Sequence, residues 1–105
     1  MYKRQKEARL NGIANPLINI TLQGRYDAYP KRRGMMRVKE MMAMGINVAF
    51  GHDCVMDPWY ALGTHDMLEV AAMGLHVGHM TGVEEMRACF DAVTRNGAIA
   101  LELEG

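Results

Sequence analysis

The sequence predicts an α/β fold: two parallel strands, at about residues 13–20 and 46–50, with helices flanking each. Three observations lead there. Leu10-Asn11-Gly12-Ile13 and Ala43-Met44-Gly45-Ile46, 33 residues apart, both place Gly-Ile after a helix-like segment and before an apolar run, a spacing close to one βα unit. The stretch between the runs has helical periodicity, so strands alternate with helices, as parallel βαβ connectivity requires. Finally, 105 residues make one small domain, and two parallel strands leave faces and edges that need partners. The chain therefore reads as a single partial domain, a slice of a larger α/β protein.

Taken in order, a first helix ends at Gly12, where glycine accepts a left-handed backbone. The run Ile13 to Ile20, broken by Asn15-Pro16 and Asn19, is the first strand. Val38, Met41, Met42 and Gly45 share one face of a helix over 35–44, with Lys39 and Glu40 opposite. Ile46-Asn47-Val48-Ala49-Phe50 is short and almost wholly apolar, the signature of a strand covered on both faces. Met67, Leu68, Ala71 and Ala72 form the stripe of a helix over 65–73. Thr81-Gly82-Val83-Glu84 reads as a capping box for a helix over 82–95, whose apolar face is Val83, Met86, Cys89 (or Phe90) and Val93 and whose stop is Asn96-Gly97.

Composition narrows the class. Half of the residues are hydrophobic and 23% are charged, as in ordinary globular proteins. No apolar run approaches the roughly 20 residues that span a bilayer, so no membrane partner is expected. Met1-Tyr2-Lys3-Arg4-Gln5-Lys6 is charged but precedes no apolar signal segment. Cys54 and Cys89 suit neither a disulfide scaffold nor a zinc pattern, which points to a reducing cytoplasm. Net charge is zero, yet residues 1–45 carry +7 and residues 46–105 carry −7. A basic half can bind nucleic acid, but an acidic half on the same chain competes for it, so packing between the halves or against other parts of a protein is expected instead.

In parallel α/β folds, function collects in the loops after the C-terminal ends of strands, here 21–34 and 51–64. Asp53, just past the second run, can bind a cation or take a proton; aspartate in such a loop also caps turns. His52 points to the other side and packs. Cys54 has no base partner at a defined spacing and reads as an inert thiol rather than a nucleophile. Trp59 packs either on a flat substrate or on the protein body. His76 and His79 share a helical spacing but lack a third ligand, and the eleven methionines read as core filler.

Pro16-Leu17-Ile18-Asn19-Ile20-Thr21-Leu22-Gln23-Gly24-Arg25-Tyr26-Asp27-Ala28-Tyr29-Pro30-Lys31-Arg32-Arg33-Gly34 and Gly45-Ile46-Asn47-Val48-Ala49-Phe50-Gly51-His52-Asp53, followed by Asp57-Pro58-Trp59-Tyr60, Leu62-Gly63 and Met73-Gly74-Leu75-His76, closely resemble bacterial cytosine deaminases of the amidohydrolase superfamily. The resemblance runs from about residue 12 to the C-terminus. It implies that the two strands are the seventh and eighth of a (β/α)₈ TIM-type barrel. The family hydrolyses the exocyclic amine of cytosine at one divalent ion, iron or zinc. Asp53 matches the aspartate that binds this metal and shuttles a proton between the attacking water and the substrate. Trp59 matches a tryptophan lining the pyrimidine pocket. Cys54 stands where some relatives carry an acidic residue, so pyrimidine contacts there differ.

The same resemblance implies parts this sequence lacks: a His-x-His pair, a pyrimidine-contacting glutamine, a His-x-x-Glu pair, a further histidine and a C-terminal β-sandwich segment. One carboxylate cannot retain a metal that takes four or five ligands, so the isolated chain is expected to be inactive and metal-free. The competing expectation is a free-standing, non-catalytic binding or oligomerising protein derived from such a gene. Exposed strand edges favour a homo-oligomer in either case.

Overall fold

The computed structural model describes residues 2–103; Met1, at the head of the charged N-terminus, lies outside them. Eight elements follow in chain order: α1 (Lys3–Glu7), β1 (Gly12–Ala14), α2 (Pro16–Leu22), α3 (Val38–Ala43), β2 (Val48–Phe50), α4 (Met67–Val77), α5 (Val83–Ala92) and α6 (Arg95–Ala100). The strands pair in parallel with Gly12 opposite Val48 and Ala14 opposite Phe50. The expected α/β architecture with two parallel strands and flanking helices is therefore present. No helix among the described residues is long and apolar enough to cross a membrane.

The first strand is shorter than expected. It covers 12–14, and the remainder of the apolar run is helix α2. Pro16 takes the first helical position, where its fixed φ fits and its missing N–H is not needed. The Asn19 N–H then donates to Asn15 O at 2.9 Å, and the Thr21 hydroxyl turns back to Leu17 O. Pro16, Leu17 and Ile18 are buried, so an apolar run that also suits a strand is satisfied by a helix packed against α4.

The first helix also ends differently. It stops at Glu7, and Arg9, not Gly12, takes the left-handed conformation (φ 54°). Gly12 already lies in β1, whereas Gly45 (φ 79°) does close α3. The echoed Gly-Ile pairs thus occupy different structural positions.

β2 lies inside the expected 46–50 run, and Val48, Ala49 and Phe50 are all buried. On α4, Val70, Ala71 and Gly74 face inward while Leu68 is exposed, and the helix continues to Val77. α5 begins one residue later than the sequence suggests: Gly82 is its N-cap, and its N–H donates to Glu85 Oε2 at 3.0 Å. Glu85 also pairs with Lys39 at 2.6 Å, an ion pair joining the basic and acidic halves. The buried face of α5 is Cys89 and Ala92, small residues that let it approach β2, leaving Val83, Met86 and Phe90 exposed. Asn96-Gly97 lies inside α6 rather than forming a stop.

The basic run after α2 folds its own loop. Arg32 holds Asp27 through two nitrogens (2.7 and 2.8 Å), Lys31 donates to the carbonyls of Arg25 and Asp27, and Arg33 donates to Ile20 O. The Arg32 guanidinium keeps the Asp27 carboxyl below its ordinary range.

Candidate active site

A cleft of about 600 Å³ opens beside the C-terminal ends of the strands. Ile13, Ala14, Asn15, Ile18, Asn19, Leu22 and Gln23 line one side, Gly34 to Met36 another, and Asp53 closes it from the loop after β2. Positions 15, 18, 19 and 22 are one face of α2, at the helical spacing i, i+3, i+4, i+7. The strand reading of this segment hid that face. The helical period and Pro16 were the signals that could have revealed it.

The chain leaves β2 with the Gly51 N–H on Ala14 O at 2.8 Å, the last rung beside the β1–β2 pair. Asp53 then takes φ 66°, and the Cys54 N–H donates across it to His52 O at 2.9 Å. This is a three-residue γ-turn of the strained hand. Aspartate tolerates a positive φ better than most residues, and the turn presents its exposed side chain on the cleft.

His52 goes the other way, as alternation predicts. It is buried, packs beside the Tyr60 ring at 6.4 Å between centroids, and places Nδ1 2.9 Å from Cys54 O.

Cys54 is half-buried, its Sγ 3.8 Å from Asp53 Oδ1. Burial, with the carboxylates of Asp57 and Asp53 beside it, pushes the thiol up to about 11, so it is neutral at physiological pH. That is the reverse of an activated nucleophile.

Asp57 organises the rest of the loop, accepting from the N–H groups of Trp59 and Tyr60, both at 2.9 Å. Burial raises its carboxyl, but the Tyr60 N–H, the Cys54 thiol and the Trp59 N–H outweigh it and hold the group below its usual value. Asp57 thus takes the turn-capping role that the sequence also allowed for Asp53. Trp59 is 65% exposed and is not among the residues lining the cleft. His76 sits on α4 with Nδ1 donating to Ala72 O.

No group of three or more His, Cys, Asp or Glu among the described residues is placed to hold a metal ion. The cleft brings one carboxylate, with a neutral thiol beside it. By themselves these residues do not fit a divalent cation, which takes at least three protein ligands in a catalytic site.

Two crystal structures of 5-methylcytosine deaminase from Klebsiella pneumoniae, one liganded with 5-fluorocytosine and one with phosphonocytosine, are similar to this chain at 45% identity and a TM-score of 0.91. The superposition covers 97% of this chain and 25% of theirs. A pterin deaminase from Rhizobium rhizogenes is 32% identical over 75 residues, which is 70% of this chain and 17% of that protein. The chain thus spans a quarter or less of the relatives it matches. Residues 1–105 match the amidohydrolase family throughout, a family that generally uses a divalent metal, and the chain belongs to it.

Proposed function

We propose that this chain supplies the seventh and eighth strands of a (β/α)₈ barrel in a metal-dependent deaminase acting on cytosine or 5-methylcytosine, with Asp53 as its reacting carboxylate. The observation that supports this most is the placement of Asp53. A strained turn carries a carboxylate to a cleft at the C-terminal ends of parallel strands, where the chemistry of such folds collects, in a chain 45% identical to 5-methylcytosine deaminases.

In this reading the ring carbon bearing the exocyclic amine forms a bond to the oxygen of water and breaks its bond to nitrogen. Ammonia leaves and a ring carbonyl remains. Asp53 takes one proton from the attacking water on a carboxylate oxygen and passes it to the adjacent ring nitrogen. It then takes the remaining hydroxyl proton and delivers it to the departing amine, so the carbonyl forms as ammonia leaves, the general base then acid role of one group. A divalent cation, iron or zinc, held by Asp53 and by ligands outside this segment, would make that water more acidic. Trp59 forms a wall of the pyrimidine pocket in the whole protein. Its ring is exposed here and free to meet a planar substrate or other parts of the protein.

Cys54 carries the substrate preference. A neutral thiol beside Asp53 accepts an apolar ring substituent, whereas a carboxylate there would be desolvated by it at a cost. The test is ammonia release by the whole enzyme from cytosine, 5-methylcytosine and a pterin. Both pyrimidines should turn over, and Asp53→Asn should reduce turnover by about 10³-fold. Cys54→Asp should lower the ratio of 5-methylcytosine to cytosine turnover. A pterin as the sole substrate would move the assignment to another ring, and undiminished turnover in Asp53→Asn would remove Asp53 from the mechanism.

A second reading rests on the apolar stripe Val83, Met86 and Phe90, exposed along α5. It makes the chain a self-associating module without catalysis. Light scattering decides it: an oligomer dispersed by Phe90→Glu supports that reading, and a monomer overturns it.

A further inference from the structure

We infer that His52 is a positioning residue for Asp53: its imidazole is the strut that holds the left-handed aspartate toward the cleft. The inference deepens the reading of Asp53 as the reacting carboxylate and rests on it.

His52 is 9% exposed, and its Nδ1 lies 2.9 Å from the carbonyl of Cys54. A carbonyl only accepts, so Nδ1 carries a proton, and in the neutral imidazole Nε2 is then a bare lone pair. That atom is buried and has no hydrogen-bond partner among the described residues. An unanswered buried acceptor is destabilising, and leucine or phenylalanine would fill the same space without it. Packing alone does not account for histidine here.

What the imidazole adds is a second grip on residue 54. The main chain of His52 accepts the Cys54 N–H at 2.9 Å while its side chain donates to the Cys54 C=O at the same distance. One residue thereby holds both backbone polar groups that follow Asp53. A residue at φ 66° persists only where its surroundings over-determine it, and this double hold does so. The ring is fixed in turn by the loop returning onto its own start. Tyr60 packs beside it, and a Cβ at Gly63 would come within 2.9 Å of His52 Cε1 and 2.7 Å of Cys54 O, so that close return needs glycine. Neither bond touches the Asp53 carboxylate itself; the hold reaches it through the backbone of residue 54. Loss of a group that orients a reacting side chain from behind costs about 10–100-fold in activity or metal affinity.

The test compares His52→Asn, His52→Gln and His52→Leu in the whole enzyme. The Asn amide nitrogen stands near the place of Nδ1, whereas the Gln amide reaches toward Nε2 and leaves Cys54 O unanswered. Asn is expected to retain kcat and affinity for added Zn²⁺, measured by chelator competition. Gln and Leu should each lose roughly 10–100-fold in both, with the melting temperature of Gln matching that of Asn. If Leu fails to fold, the Asn and Gln pair decides. Equal behaviour of Asn and Gln, or losses that follow melting temperature alone, overturns the strut. Nitrogen NMR of the unmodified protein adds a direct readout: the Nδ1–H tautomer of His52 supports the strut and the Nε2–H tautomer overturns it. Asp53→Asn separates the two levels. If it leaves Zn²⁺ affinity and turnover intact, the Asp53 reading fails; if it abolishes them while wild type, Asn and Gln are alike, the strut alone fails.

Discussion

The two ends of the short sheet are built on opposite principles. At the N-terminal end, Asn47 Nδ2 donates to Asn11 Oδ1 (2.9 Å) and Asn96 O (3.0 Å), Asn96 Nδ2 donates to Val48 O (2.9 Å), and Gly12 N–H donates to Asn47 O. Three segments that are distant in sequence are tied there by short, neutral hydrogen bonds. At the C-terminal end, 10 Å or so of strand later by the rise per residue, Asp53 is left-handed, His52 Nε2 has no partner, and Cys54 lies against two carboxylates. The amide and backbone groups just named are answered at the first end, although Gln5 Oε1 on the preceding helix α1 is buried without a partner among the described residues, and His52 Nε2 is the unanswered atom at the second. In parallel α/β architecture the first end serves stability and the second serves chemistry, and local rules are broken where function resides.

The sharpest way to break this contrast is Asp53→Gly. Glycine adopts the positive φ without steric cost but adds backbone entropy to the unfolded chain. The two offset, so stability should change by less than about 1 kcal/mol, while turnover of the whole enzyme falls by about 10³-fold. Denaturant unfolding and ammonia release measure the two. A stability loss well beyond about 1 kcal/mol would show that Asp53 holds the fold as well as the cleft, and retained turnover would move the chemistry elsewhere.

Asn96→Ala probes the other end. It removes the donor to Val48 O and should lower stability by about 1–3 kcal/mol with kcat unchanged. A fall in kcat at full folding would erase the division of labour between the ends.

The smallest effect concerns pH. Burial and the carboxylates of Asp57 and Asp53 raise the Cys54 thiol from an ordinary value of 9.0 to about 11. Its contribution to stability is therefore complete below pH 9 and lost as pH rises through 11. Alkylation of Cys54 by iodoacetamide should stay slow at pH 8 and accelerate toward pH 11. Asp57→Asn should shift that rise to lower pH, and rapid alkylation of the unmodified protein at pH 8 would contradict the environment described.

The contrast between the ends also separates what could be read locally from what could not. Val48 to Phe50 were legible because three consecutive apolar residues, two of them β-prone, bounded by Asn and Gly leave little choice. Asp53 was legible as a candidate because it follows a strand, and Trp59 because a lone tryptophan in a loop needs a surface to pack on. The role of Asp57 was not. Aspartate caps turns and reacts with protons through the same oxygens, and only the positions of the Trp59 and Tyr60 N–H groups assign it to the turn.

The sequence by itself determined the alternation of strand and helix, the parallel pairing and the loop that carries the candidate carboxylate, because periodicity and turn chemistry act over a few residues. Tertiary structure decided what those ranges could not. The run 13–20 suits either element, and it divides at Pro16 because a helix there buries Leu17 and Ile18 and turns Asn15 and Asn19 to the cleft. Glu85, rather than Glu84, caps α5, where it also meets Lys39 from the other half of the chain. Asn96 continues into α6 because its side chain finds Val48 O, 48 residues away. Each outcome depends on a partner remote in sequence, and hydrogen bonds and packing act on distance in space, which no local pattern encodes.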